Sequence, residues 1–508
     1  MFTKARVVRL LDSILGKKLG GVDSSNQFER ARRCPKITGI AGDVIEQSVF
    51  GYARDSRQEC DIDIDGTLTE LKTTGVRIPR RDLESAHGKT GDAYNALLGA
   101  KEGISITGVT FDPAPQLHFL TSHFWEKAEH LLIVFYEYKS ADVVPAAAYA
   151  DFPVVGWCFN HFTPDEQAKL RADWELVRDH LTAVYSTYST TAERYAQLEG
   201  FTHRLRPQLL LIELVPGFKQ RPNGSWQKPR YRLKQTLVDH IVRGYFARQR
   251  ADHRTKREAK MDVPFSSFRE LDERCHALRT TYGGMTLAAL QKMFGIRPGA
   301  KNAASLCVLR MLGAGGTRLN AVADFVKTGI IAKTITLNAR GHRTEDMKMD
   351  RVDFTEWADR DTTFDDSGVC RYFREHSLLC PVFRELAEND AGQTTFEGMK
   401  RFSFDEHFIE TEVRRTWADT RHLIHHNLLR WETVLDGNGQ PKRNPSGSLK
   451  GAPNLPKSTD HTVFMRGGAA TSADACRTET VNGIRMLPQF FWLKGTYVAE
   501  RLQAMAYL

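Results

Sequence analysis

The pattern of apolar and polar positions in the first half of the chain predicts helices and strands in alternation. Leu131–Tyr136 is a continuous apolar run of strand length, which is typical of a strand buried in the middle of a sheet. Residues 206–215 predict another strand. Helical spacing predicts helices at residues 39–50, at 163–188, which open on a capping sequence, and at 234–249. This mixture predicts an α/β fold.

A short charged segment before the apolar run predicts a hairpin. Glu70 and Lys72 alternate with a leucine, so a strand here sends the two charged side chains to one face. The pair Asp65-Gly66 just before this strand is a two-residue turn sequence. We therefore expect a hairpin that folds Asp63 back beside Glu70.

Two carboxylates and one ammonium on a sheet face suit the metal-dependent hydrolysis of a phosphodiester. Oxygen ligands from Asp63 and Glu70 match the preference of Mg²⁺. A bound divalent cation polarises the phosphate and lowers the pKa of a bound water. The ammonium of Lys72 can orient that water and offset the charge that develops on the phosphate. The segment therefore predicts a nuclease centre.

Two other interpretations fit the same segment. Residues 61–66 match the front half of a calcium-binding loop, but the twelfth position, which requires a bidentate glutamate, is Lys72. The other interpretation is a solvated charged hairpin, since such short triplets are common in proteins. The surrounding residues have to decide among the three.

Composition and charge favour a polyanionic partner. The 508 residues exceed a single hydrophobic core and predict two or three domains. The formal net charge of +9 at pH 7 suits the neutralisation of phosphates. The eight cysteines lack zinc-finger spacing, and no apolar run approaches a membrane span. We expect a cytoplasmic protein with free thiols and no membrane association.

The second half of the chain repeats parts of the first. Leu170–Trp174 has a counterpart in Val413–Trp417, and Tyr231–Val238 has one in Phe491–Val498. Separations of roughly 240 to 260 residues are too wide for a solenoid repeat and suit a duplicated domain. At the same offset, Asp324–Thr334 is expected to be the counterpart of the hairpin.

The second copy lacks the acidic residues of the first. Alignment on Lys333 puts Ile331 where Glu70 stands, and alignment of the preceding helices puts Val308 where Glu46 stands. Neither aliphatic side chain can bind Mg²⁺. We therefore predict a catalytic domain at residues 1–248, a basic linker or helix extension at 249–265, and a degenerate DNA-binding effector domain at 266–508.

Together these motifs resemble those of the MutH family, which includes the mismatch-repair nicking endonuclease and relatives among type II restriction enzymes. The pattern is most like the larger restriction enzymes that contain two MutH-like domains and cut at GATC. The resemblance extends over residues 30–245, with a weaker version at 270–508. The motifs that carry it are Gly42–Glu46, Asp63, Glu70–Thr73, Ser122–Lys127, Leu170–Trp174 and Tyr231–Lys234.

The resemblance implies a restriction-endonuclease-like core, a mixed central sheet flanked by helices, that is present twice. It implies that Asp63, Glu70 and Glu46 bind the metal, and that Lys72 positions the attacking water. Lys127 would be a second lysine of the catalytic site. A surface lysine at the start of a strand is the competing interpretation of Lys127.

The resemblance also implies a DNA surface, with one departure from the family pattern. The family reads GATC with a loop of Arg-Pro-Lys or Thr-Lys-Gly-Ala type, whereas this chain has Gln208 in place of the lysine. The second copy keeps a loop of that kind at residues 465–471. The residues expected at the DNA are Arg206, Gln208, Tyr231, Lys234, Arg466 and Lys494.

We therefore expect a Mg²⁺-dependent, sequence-specific type II restriction endonuclease that cleaves double-stranded DNA at GATC-like sites, with Mn²⁺ able to substitute. The C-terminal domain is expected to bind a second DNA site and to act allosterically. The chain is expected to act as a monomer or as a DNA-induced dimer. Two alternatives stay open: a nicking or methylation-dependent endonuclease of the same family, and a DNA-binding regulator that does not cut.

Overall fold

The computed structural model describes most of the chain, namely residues 1–34, 39–52, 60–79, 82–111, 114–140, 144–215, 218–221, 223–249, 261, 264–343, 345–386, 394–445 and 447–508. These residues form a mixed α/β protein, as predicted. The linker predicted at 249–265 lies outside the described residues, apart from 249, 261, 264 and 265.

The first half contains eleven α-helices and ten strands within the described residues. The helices are α1 (Lys4–Asp12), α2 (Leu19–Val22), α3 (Gln27–Arg33), α4 (Ile40–Val44), α5 (Leu83–Ala86), α6 (Gly91–Asn95), α7 (His123–Ala128), α8 (Pro164–Thr187), α9 (Thr191–Leu198), α10 (Phe201–Leu205) and α11 (Gln235–Gln249). The strands are β1 (Ile62–Ile64), β2 (Thr67–Arg77), β3 (Gly99–Ala100), β4 (Ile104–Gly108), β5 (Leu131–Glu137), β6 (Val154–Asn160), β7 (Ile212–Val215), β8 (Lys219–Gln220), β9 (Trp226–Gln227) and β10 (Arg230–Leu233).

The main sheet of the first half has the order β1-β2-β5-β6, with β3 on the far end of β2. Strand β5 is parallel to β2 and antiparallel to β6. Alternate residues of β5 enter two different hydrophobic cores, one on each face of the sheet. This two-sided burial explains the continuous apolar run, and it confirms the predicted central strand.

A smaller antiparallel sheet, β4-β10-β7, packs beside helix α8. Helix α8 begins as predicted, because Thr163 and Glu166 form reciprocal capping hydrogen bonds. The strand predicted at 206–215 is wrong in its first part, since Arg206–Gln208 is a 3-10 turn. The carboxylate of Asp173 on α8 accepts hydrogen bonds from the backbone N–H groups of three consecutive residues, 210 to 212, and so fixes the entry into β7.

The second half contains nine α-helices and eleven strands among the described residues. The helices are α12 (Phe268–Tyr282), α13 (Leu287–Met293), α14 (Ala303–Met311), α15 (Ala323–Thr328), α16 (Phe354–Ala358), α17 (Gly368–Glu375), α18 (Glu406–Phe408), α19 (Arg414–His425) and α20 (Gly495–Gln503). The strands are β11 (Ile330–Ala332), β12 (Ile335–Leu337), β13 (Met347–Arg351), β14 (Ser377–Glu385), β15 (Thr394–Ser403), β16 (Trp431–Thr433), β17 (Gly451–Pro453), β18 (Val463–Gly467), β19 (Glu479–Val481), β20 (Ile484–Met486) and β21 (Gln489–Leu493).

The strand pairings of the second half follow the same order as those of the first. Strands β11 and β12 are parallel to β14, and β14 is antiparallel to β15, as β2, β5 and β6 are. Strand β21 lies between β13 and β18, as β10 lies between β4 and β7. The expected hairpin counterpart at 324–334 is wrong in its first strand, because Asp324 lies on α15.

The two halves pack against each other. Helix α11 packs on α15, and one hydrophobic core contains residues from both sides of the predicted linker. Ion pairs cross the same boundary: Lys169 Nζ lies 3.1 Å from Asp324 Oδ1, and Lys327 Nζ lies 2.7 Å from Glu166 Oε1. None of the helices in the described ranges carries an apolar stretch that could span a lipid bilayer.

Candidate active site

The hairpin that precedes the site has the register of a two-residue turn. Asp65 and Gly66 both have positive φ, 50° and 84°, which suits a type I′ turn and favours glycine at the second position. The turn pairs Ile64 with Thr67 and therefore pairs Asp63 with Leu68. The sequence predicts that Asp63 folds back directly beside Glu70. Asp63 instead faces Leu68, two residues earlier on β2, and is a diagonal neighbour of Glu70 on the same face of the sheet.

Asp63 on β1 and Asp61 just before β1 accept different hydrogen bonds. Asp63 Oδ1 accepts from the backbone N–H of Gly66 at 2.9 Å and thereby supports the turn. Asp61 Oδ2 accepts from the backbone N–H of Leu71 at 2.9 Å, next to Glu70. Extending the ladder one step past the pair of residues 62 and 69 places Asp61 opposite Glu70. Sequence reasoning missed Asp61 as a site residue, although counting back from the turn finds it.

Glu70 is the centre of the site and is held by two ammonium groups. Its side chain is buried, with the residue only 1% exposed. Lys72 Nζ lies 2.5 Å from Oε1, and Lys127 Nζ lies 2.9 Å from Oε2 and 3.1 Å from Oε1. Charge-assisted hydrogen bonds of this kind compensate for the desolvation of a buried carboxylate.

Helix α7 delivers Lys127 to this position. Ser122 caps the helix by accepting from the N–H of Trp125 at 3.1 Å. The helix leads into β5, whose parallel pairing with β2 sets Leu131 beside Glu70. Burial lowers the pKa of Lys127, but the charge of Glu70, the hydrogen bond that Lys127 donates to Glu70 and the charge of Asp61 together outweigh that effect and raise the pKa. This burial excludes the surface-lysine interpretation of Lys127.

Glu46 approaches the same cluster from the helix that covers β2. It lies in a π-helical turn, Ile45–Val49, that continues α4. Burial is the main cause that raises the pKa of Glu46 to about 7, and the charges of Asp61, Asp43 and Glu70 contribute to this shift against the opposing effect of Lys72. Asp43 has its own cation, since Arg30 Nη2 lies 2.5 Å from its Oδ2.

The chemistry of these carboxylates fits a hard divalent cation. Glu46, Asp61 and Glu70 repel one another electrostatically, and each offers the oxygen ligands that Mg²⁺ prefers. Both oxygens of Glu70 contact ammonium groups in this arrangement. Over the ranges that the structure describes, no three acidic, histidine or cysteine side chains already form a metal-ligating group.

Two of the residues expected at the DNA are in the core instead. Tyr231 is buried on β10, with its ring centroid 5.1 Å from that of Phe124. Lys234 is also buried, and its Nζ donates to the carbonyl of Leu209 at 2.5 Å. Burial lowers the pKa of Lys234. The expectation of a DNA-facing tyrosine and lysine is corrected by this burial, since neither side chain reaches the surface.

Arg206 and Gln208, from the turn expected to read bases, have unlike surroundings. Arg206 is directed at the second half, where Nη1 lies 2.5 Å from Glu406 Oε2 and Nη2 donates to the Phe404 carbonyl at 2.8 Å. Gln208 is exposed, and its Nε2 donates only weakly to the Arg204 carbonyl, at 3.4 Å. Of the two, Gln208 is the side chain free to meet DNA in this conformation.

The residues expected at the DNA in the second half remain near the surface. Arg466 on β18 is about half exposed, pairs with Asp346 at 2.7 Å, and lies over the ring of Trp492 at 5.0 Å. Lys494 is partly buried at the start of α20. Their positions are compatible with a polyanionic partner, and their role stays a prediction.

Among the described residues of the second half, the positions aligned with Glu46 and Glu70 carry aliphatic side chains. Val308 is fully buried on α14, and Ile331 is partly buried on β11. Lys333 Nζ donates to the carbonyl of Lys348 at 2.9 Å rather than to a carboxylate. Burial lowers the pKa of Lys333, and the charge of Lys348 lowers it further.

Comparison with known proteins agrees with this geometry. Residues 50–173 match the family model described as the DNA mismatch repair enzyme MutH. The chain is also 23% identical over 432 residues to the type II restriction enzyme Sau3AI of Staphylococcus aureus, an alignment that covers 82% of this chain and 79% of that protein. The matched segment contains Asp61, Glu70 and Lys127. The resemblance is therefore confirmed: the chain carries a MutH domain at residues 50–173.

Proposed function

We propose that this protein is a Mg²⁺-dependent, sequence-specific type II restriction endonuclease that cleaves double-stranded DNA. The observation that carries the proposal is the buried Glu70 carboxylate between the ammonium groups of Lys72 and Lys127, within the MutH domain. The likeness to a type II restriction enzyme over most of both chains supports it. The net charge of +9 suits a DNA substrate.

The residues of the site have distinct roles in this proposal. Glu70 and Glu46 are carboxylates that would hold Mg²⁺, which supplies charge neutralisation at the phosphate and a more acidic bound water. Lys72, whose side chain is partly exposed, would orient the attacking water and donate to a phosphate oxygen. Lys127 holds the Glu70 carboxylate through an ion pair. Its positive charge lowers the free-energy cost of keeping the buried carboxylate ionised.

The C-terminal half is proposed as a DNA-binding effector domain derived by duplication. The shared order of strand pairings supports the duplication, as do two matching helix caps, Ser122 on α7 and Ser367 on α17. The loss of acidic residues at Val308 and Ile331 leaves DNA binding as the function that such a copy retains. Ion pairs between the halves provide a route by which DNA bound to one half influences the other.

The target and the assembly follow from the same proposal. GATC is the first sequence to test, although Gln208 in place of the family's lysine changes the base contacts available. One complete centre in a chain cuts one strand at a time, so a double-strand break requires two successive cuts or two chains on one site. The cytoplasm, where the free thiols are expected to stay reduced, is the proposed location.

Digestion of a sequenced plasmid tests the proposal. Supercoiled DNA, unmethylated and fully methylated at GATC, is incubated with the full chain in Mg²⁺, in Mn²⁺ and in EDTA, and the product ends are sequenced. We expect linear DNA with a fixed end sequence in either metal and none in EDTA. Open circles that never become linear would identify a nicking enzyme, and DNA binding without cleavage would overturn the proposal in favour of a regulator.

A further inference from the structure

We infer that Asp61, rather than Asp63, is the aspartate that binds the divalent cation together with Glu70. The inference rests on the proposed nuclease function and assigns one further ligand of its metal. The sequence suggests Asp63 instead, because the turn at Asp65-Gly66 is expected to fold it back beside Glu70. The register of the folded hairpin favours Asp61.

The register of the hairpin determines which aspartate can share a cation with Glu70. Residues directly opposite on antiparallel strands have Cβ atoms about 4.5–5.5 Å apart, whereas diagonal neighbours are about 7–8 Å apart. Asp63 is opposite Leu68, which makes it a diagonal neighbour of Glu70. Asp61 lies just before β1, and the same register continued one position past the pair of residues 62 and 69 brings it opposite Glu70. Mg²⁺ holds its oxygen ligands at about 2.0–2.1 Å, so two short carboxylate side chains must converge closely. The directly opposite pair meets that requirement.

The hydrogen bonds of the two aspartates favour the same assignment. Asp61 accepts from the N–H of Leu71, which anchors its carboxylate against β2 immediately beside Glu70. Asp63 accepts from the N–H of Gly66, which directs its carboxylate toward the turn. The first bond positions a ligand, and the second is the usual bond of an aspartate that stabilises a turn.

Two isosteric variants of the full chain, Asp61→Asn and Asp63→Asn, form a matched test. Asparagine keeps a side-chain oxygen that accepts from Leu71 or Gly66, so each variant retains its local hydrogen bond. Binding of Mn²⁺ alone is measured by electron paramagnetic resonance of the free ion, without DNA. We expect D61N to weaken Mn²⁺ binding about ten-fold or more, and D63N to leave it within about two-fold.

Thermal unfolding with and without Mn²⁺ provides a second readout that is insensitive to a lower starting stability. We expect Mn²⁺ to raise the Tm of wild type and of D63N but not of D61N. The assignment is overturned if D63N loses Mn²⁺ binding as much as D61N does, if D61N keeps it, or if wild type binds none. A wild type that binds Mn²⁺ with this pattern yet never cuts DNA would overturn the nuclease function and leave the Asp61 assignment standing.

Discussion

Lys127 contacts Glu70 across 57 positions of the sequence, with Nζ 2.9 Å from Oε2 and 3.1 Å from Oε1. A second ammonium, that of Lys72, reaches Oε1 from the same strand as Glu70. One carboxylate thus carries two cations from different elements. Because the Glu70 carboxylate is buried, the loss of either lysine leaves part of the negative charge of Glu70 uncompensated.

Replacement of Lys127 by methionine is expected to reduce DNA cleavage about 100-fold or more while the chain stays folded. Methionine fills a similar volume but leaves Glu70 with one ammonium, so the carboxylate is less firmly placed. The rate of plasmid cleavage at saturating Mg²⁺ measures the effect. Lys139→Met, at an exposed lysine just after β5, is the control and should cut at the wild-type rate. Equal rates for both variants would remove Lys127 from the site.

Replacement of Glu70 by glutamine is expected to reduce cleavage about 1,000-fold or more and to preserve or tighten DNA binding. The amide removes a metal ligand and also removes a negative charge that repels the phosphate backbone. Cleavage and electrophoretic mobility shift are measured on the same duplex. Glu126→Gln, at an exposed glutamate on α7, is the matched control. Near-wild-type cutting by E70Q would contradict the proposed centre.

The pKa of about 7 at Glu46 predicts a pH-dependent stability of the metal-free protein. The folded value lies above the ordinary 4.5, so the folded state binds more protons between these two values than the unfolded state does. Stability is therefore expected to be greatest below about pH 4.5 with respect to this group, and to be lost as pH rises toward 7.

Denaturant unfolding of wild type and Glu46→Gln across this pH range isolates the contribution of Glu46. The glutamine variant cannot ionise and should lack this component of the decline, whereas Glu29→Gln, at an exposed position on α3, should behave as wild type. Added Mg²⁺ should also flatten the wild-type curve, because a bound cation favours the ionised carboxylate. Identical slopes for wild type and E46Q would contradict the assigned environment.

Lysine variants in the two halves are expected to differ sharply. Lys72→Met should lower cleavage about 100-fold or more, because it removes the ammonium that contacts Glu70. Lys333→Met should leave the cutting of a short duplex with one target site unchanged, since Lys333 donates to the backbone carbonyl of Lys348. Single-site duplexes are used so that any effector role does not enter the rate. A comparable loss in K333M would indicate a second active centre.

The pair Arg206–Glu406 is expected to couple the two halves. Burial disfavours the charged form of Glu406, but hydrogen bonds from His203, Arg374 and Arg206 outweigh it and hold its pKa well below the usual range. The stabilisation is therefore fully present above about pH 4.5 and is lost as pH falls. A double-mutant cycle of Arg206→Met and Glu406→Gln at neutral pH should give a coupling of about 1 kcal/mol or more. A coupling near zero would show that the contact does not stabilise the packing of the halves.

Much of the architecture could be predicted because local patterns determine it. Local sequence signals of burial and capping predict three elements: the strand at Leu131–Tyr136, the start of the helix at Thr163 and the helix at 235–249. The strand expected at 206–215 failed in its first part because Asp173, from a distant helix, binds the backbone at residues 210 to 212 and sets where the strand begins. A tertiary contact of this kind has no local signal.

The site was predictable in its residue types but not fully in its register. Glu70, Lys72 and Lys127 come together as expected, and Asp61, which the sequence analysis did not select, accepts a hydrogen bond from the backbone next to Glu70. The turn at Asp65-Gly66 does contain the register, because a two-residue turn fixes which residues face each other. Tyr231 and Lys234 lie in the core rather than on the surface, since polar or aromatic character alone does not report burial.

The origin of the Glu70–Lys127 contact also determines when the centre can exist during synthesis. Parallel strands require a long crossover, and non-local pairings of this kind are intrinsically slow to form. A chain that ends before α7 contains the residues of the hairpin but lacks both Lys127 and strand β5, with which β2 pairs. If the proposed function is correct, an unfinished chain therefore lacks part of the centre, and hydrolysis of DNA requires the completed sheet.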